Sequence, residues 1–83
     1  MRTRIELETL SDVQNFCKAV SAIIPDVFLV DNVHRFKVNA KSTIGALLAQ
    51  AEWGGGIFVE CEEDIYSIIE PWVARNSNVT VHE

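Results

Sequence analysis

Basic residues are scarce in this sequence. Seven Lys and Arg stand against twelve Asp and Glu, a net charge of −5 over 83 residues. A surface of that sign repels phosphate backbones, so direct nucleic-acid binding is not expected. Cysteine is limited to Cys17 and Cys61, with neither a CxxC pair nor metal-ligand spacing. Both fall at apolar-patterned positions and read as buried thiols in a reducing compartment. No apolar run is long enough to cross a bilayer and no segment reads as a signal peptide, so the expectation is a cytoplasmic chain without membrane contact. Clusters that carry chemistry are missing too. His34 and His82 have no Cys, Asp or second His at ligand spacing, and no nucleophile–base pair or paired carboxylates can be found. Neither catalysis, nor a metal, nor a cofactor is expected.

What is present is a globular pattern in a length that suits one domain. Arg2 to Glu8 alternates as a strand, with Ile5 and Leu7 on one face. Ser11 and Gln14 have the spacing of a capping box, which makes Ser11 the expected N-cap of a helix. Its apolar stripe is Val13, Phe16, Cys17, Val20, Ile23 and Ile24, and Pro25 ends it. Val27 to Val30 and Phe36 to Asn39 read as a hairpin around Asp31-Asn32. Arg35 and Lys37 alternate on its wet face. Ser42 is the expected N-cap of a second helix, with Ile44, Leu47, Leu48 and Ala51 on its buried side. Gly54-Gly55-Gly56 lacks the following Lys and Ser/Thr of a phosphate loop and reads as a turn needing positive φ. Trp53 beside it has no slot in the apolar pattern and reads as an exposed contact residue. Ile57 to Cys61 is a further strand. Asp64 opens a last helix with the stripe Ile65, Ile68, Ile69, Trp72 and Val73, bent at Pro71. The acidic run Glu60, Glu62, Glu63 and Asp64 suits a helix N-terminus. Val27 to Val30 is apolar on both faces, so either Val27 and Leu29 or Phe28 and Val30 must point away from the helices, with Phe58 beside the outward pair.

The string Val38-Asn39-Ala40-Lys41-Ser42-Thr43-Ile44-Gly45-Ala46-Leu47-Leu48 resembles the VNAKSIMGLL-type segment of HPr proteins, the small phosphocarriers of the sugar phosphotransferase system. The resemblance in element order runs from Arg2 to Arg75. It implies an α+β, HPr-like open-faced sandwich of order β-α-β-β-α-β-α, a four-stranded antiparallel sheet with three helices on one face. On that reading 1–75 is the domain and 76–83 a tail with the alternation of an extra strand.

The family's phosphate-accepting histidine and its neighbouring arginine belong between the first strand and first helix. Here that stretch is Leu10-Ser11-Asp12-Val13-Gln14, with no His, Arg or Pro. A hydroxyl without an adjacent base is a poor substitute for imidazole, so Ser11 is read as a cap and not a nucleophile. The resemblance places the family's regulatory serine at Ser42. It therefore implies a regulatory or adaptor protein and not a histidine phosphocarrier. Ser42 is the candidate phosphorylation site, and Ile44, Leu47 and Trp53 form the candidate surface for a protein partner. The alternatives are a phosphotransferase-system component acting through another residue, and a self-associating domain that forms a homodimer.

Overall fold

The structure, a computed structural model, describes residues 1–74. The expectation for 76–83 lies outside the described residues. The elements are β1 (Arg2–Ile5), α1 (Leu10–Ser21), β2 (Phe28–Asp31), β3 (Lys37–Asn39), α2 (Thr43–Trp53), β4 (Ile57–Glu60) and α3 (Tyr66–Ile69), the last followed by a 3-10 turn at Glu70–Trp72. The four strands form one antiparallel sheet in the order β1-β4-β2-β3. This is a small α+β domain with the topology of an open-faced sandwich.

The core lies between the sheet and the helices. Ile5, Leu29, Ile57 and Val59 from the strands are fully buried with Val13, Phe16 and Val20 of α1 and Ile69 of α3. Phe16 meets Trp72 edge to face, with centroids 5.5 Å apart. Val27 and Leu29 belong to this core, so Phe28 and Val30 are the outward pair. Val30 sits beside Phe58 across the β2–β4 ladder. The outer face is not bare. The Arg2 guanidinium lies 4.0 Å from the Phe58 ring centroid and the Lys37 ammonium 4.3 Å from that of Phe28. Val30 is left 3% exposed. Lys37 also pairs with Glu60 at 3.3 Å.

Several local expectations are corrected. The N-cap of α1 is Thr9, not Ser11. Thr9 Oγ1 accepts from the Asp12 amide at 3.1 Å, and the Asp12 carboxylate accepts from the Glu8 and Thr9 amides at 3.0 and 3.1 Å. A carboxylate near a helix N-terminus is a stronger partner than the amide of Gln14, so the box closes two residues earlier. Ile24 is 96% exposed because α1 ends before it reaches the stripe. Pro71 does not bend a long helix. The α-helix stops at Ile69, and Pro71 sits inside the 3-10 turn, where its missing N–H costs least. The buried side of α2 is Ala46 and Ala49, with Leu47 half-buried, while Ile44, Leu48 and Ala51 are exposed. This helix is apolar on nearly every side, so periodicity does not fix its phase. Close approach does: a Cβ on Gly45 would meet the Asn39 carbonyl at 3.2 Å and Val38 Cβ at 3.4 Å, and only small residues fit there.

Candidate interaction face

Ser42 ends the loop between β3 and α2, and three hydrogen bonds set that loop. Asn39 Oδ1 accepts from the Lys41 amide at 2.9 Å, and the Asn39 carbonyl accepts from the Ser42 amide at 3.0 Å. The Lys41 ammonium donates to the Ile23 carbonyl at 2.7 Å. Ser42 is the N-cap of α2, as the sequence predicts. Its Oγ accepts from the Gly45 amide at 3.2 Å, and its carbonyl accepts from the Ala46 amide. The hydroxyl is exposed to solvent. It stands at the positive end of an 11-residue helix, where added negative charge is favoured by the dipole and by free amides.

The structure separates the three apolar residues named with it. Ile44 is 81% exposed. Leu47 and Trp53 are half-buried and pack against the core. Trp53 is therefore a wall of the surface and not a free aromatic. Leu48, expected inside, is 51% exposed. It follows Ile44 by one turn on the same helix face.

Leu48 and Trp53 form one side of a groove of about 610 Å³, and the turn between β2 and β3 forms the other. That turn is built on Asp31, whose buried carboxylate accepts from the Arg35 amide at 2.7 Å and the Phe36 amide at 3.1 Å. His34 takes φ 58° inside it. The result turns Val33 and Phe36 outward, each 57% exposed. Phe36, expected in the strand, precedes β3 and belongs to the turn with Val33. An apolar residue on each side of His34-Arg35, in a loop whose backbone is tied to Asp31, was the available signal.

The remaining candidates are accounted for locally. Ser11 is exposed in the first turn of α1 with no histidine near it in sequence. Cys17 and Cys61 are buried free thiols. Burial pushes the Cys17 thiol up, and a hydrogen bond to Thr43 offsets part of the rise. Asp64 accepts from the Tyr66 amide at 3.0 Å at the entry to α3. Gly54 carries the positive φ expected of the triplet. Among the described residues no three His, Cys, Asp or Glu side chains gather as metal ligands, and no helix is long and apolar enough to cross a membrane. No family model, no curated protein and no solved structure matches this chain.

Proposed function

We propose that this chain is an HPr-like regulatory or adaptor protein that engages a protein partner through the N-terminal end of α2, with phosphorylation of Ser42 as its control. One observation carries the reading: an exposed serine caps α2, and Ile44, two residues on, is left 81% in water. A phosphate on Ser42 would place two negative charges and three acceptor oxygens within one turn of that apolar contact. The helix terminus accommodates the charge, so modification changes the docking surface without unfolding the domain. The element order and the antiparallel sheet agree with the resemblance in the Val38 to Leu48 segment.

Transfer through a phosphohistidine is not part of this reading. The Leu10 to Gln14 stretch is the first turn of α1 and offers hydroxyl, carboxylate and amide groups but no imidazole. Two assays test the proposal. Purified enzyme I with phosphoenolpyruvate should leave the chain unlabelled. The serine kinase that modifies HPr proteins, with ATP, should add one phosphate that mass spectrometry places on Ser42 and that is lost in Ser42→Ala. Acid-labile phosphate from the first reaction, or none from the second, would overturn it.

A further inference from the structure

We propose that the groove between α2 and the β2–β3 turn is a self-association surface, and that its occupant is the same groove of a second copy of this chain, related by a two-fold axis. Phe36, Val33 and Leu48 meet in this groove at 57%, 57% and 51% exposure, against the wall of Trp53. Ile44 extends the apolar strip along the same face of α2. A small domain that leaves four large apolar side chains in water on one side carries a contact patch, not incidental exposure.

The charges on the rim say what fits it. Arg35 stands on the turn side and Glu52 on the helix side. Among the described residues neither forms an ion pair, although both line one groove; the pair that is formed is Lys37 with Glu60. A two-fold contact lays the turn of each copy on α2 of the other. Phe36 then faces the partner copy's helix wall, and Arg35 meets the partner copy's glutamate, twice by symmetry. The patch thus supplies its own complement: apolar centre to apolar centre, base to acid. The open sheet face does not. There Lys37 already pairs with Glu60 of the same chain, and the cations of Arg2 and Lys37 already lie over the Phe58 and Phe28 rings. Those charges and rings are engaged within one copy, whereas Arg35 and Glu52 are not ion-paired among the described residues. The strip shares Ile44 and Trp53 with the candidate partner surface, but Ser42 lies outside the lining of the groove, and charge reversal at Arg35 and Glu52 reads self-association without touching the serine.

Sedimentation equilibrium across the micromolar range tests it, with Arg35→Glu and Glu52→Arg as variants. Both positions are exposed, so neither change disturbs the core. The unmodified chain should show twice the monomer mass at the upper end of the range. Each variant alone should dimerise at least about tenfold more weakly, because each homodimer then sets two like pairs together. An equimolar mixture of the two should recover the dimer, since both contacts become attractive. Phe36→Ala should stay monomeric in any mixture. A monomer throughout, a dimer indifferent to charge reversal, or a mixture no heavier than its components would overturn the proposal.

Discussion

The Lys41 ammonium and the Ile23 carbonyl lie 2.7 Å apart, with the Ile24 carbonyl at 3.4 Å, so the loop that feeds α2 is tied to the exit of α1. The chain ends joined here are 18 residues apart in sequence. Both carbonyls lie just past the C-cap Ala22 of α1, where the chain has left the helix and a cation can take them. The tie also holds the residue next to the proposed phosphorylation site.

Lys41→Met keeps the aliphatic stem and removes the charge. It should cost about 1 kcal/mol of stability, the size of a charge-assisted bond to a backbone carbonyl at a half-exposed position. Urea denaturation of the two proteins checks it. An unchanged midpoint would mean that the contact is too solvated to matter.

The Ser42 cap separates stability from signalling. Ser42→Ala removes the acceptor for the Gly45 amide and should cost about 1 kcal/mol, a midpoint lower by roughly 4–8 °C in a domain of this size. Ser42→Asp should fold as well as the parent, because aspartate caps equally and its charge suits the helix dipole. Thermal melts of the three proteins give the order. Should the aspartate variant fall with the alanine variant, the hydroxyl is doing something other than capping.

Burial raises the Cys17 thiol above its ordinary 9.0, so the folded protein holds that proton longer than the unfolded chain does. The sign follows directly. The resulting stability is fully present below the ordinary value and is lost as pH rises through the raised one. As pH rises above the ordinary 9.0 the urea midpoint of the parent should therefore fall more steeply than that of Cys17→Ala. Parallel curves would show that the thiol titrates alike in the folded and unfolded protein, with no shift on burial.

Much of this architecture could be read from patterns of type and spacing. The alternation in β1, the stripe of α1 from Val13 to Val20 and the cap at Ser42 each follow from a local rule, and each is where the rule puts it. The open groove could not be read that way. A helix with Ile44, Leu47, Leu48, Ala46, Ala49 and Ala51 has no single apolar face, and the deciding contact is a carbonyl from β3 pressing on Gly45. That contact is tertiary, so the rotation of α2 and the exposure of Leu48 come only with the fold. The outward turn of Phe36 has the same origin, because Asp31 captures two amides that a tighter hairpin would have placed in the ladder. Ser11 lost the cap to Thr9 for an electrostatic reason that spacing alone does not weigh.

Thr3 is 1% exposed on the core side of β1, and its hydroxyl has no hydrogen-bond partner among the described residues. A buried hydroxyl without a partner carries its desolvation cost uncompensated, about 1–3 kcal/mol. Its strand pairs with β4, where Thr3 faces Val59. Valine has nearly the same shape, keeps the β-branch that a strand favours, and brings a methyl in place of the hydroxyl. Thr3→Val should therefore stabilise the domain by about 1 kcal/mol and raise the midpoint by roughly 4–8 °C. Thr3→Ser supplies the opposite change, since it keeps the hydroxyl and deletes the methyl, and it should lower the midpoint. Thermal melts of the three proteins decide the point. A valine variant no more stable than the parent would mean that the hydroxyl is satisfied in solution, by a trapped water or by a small shift of β1.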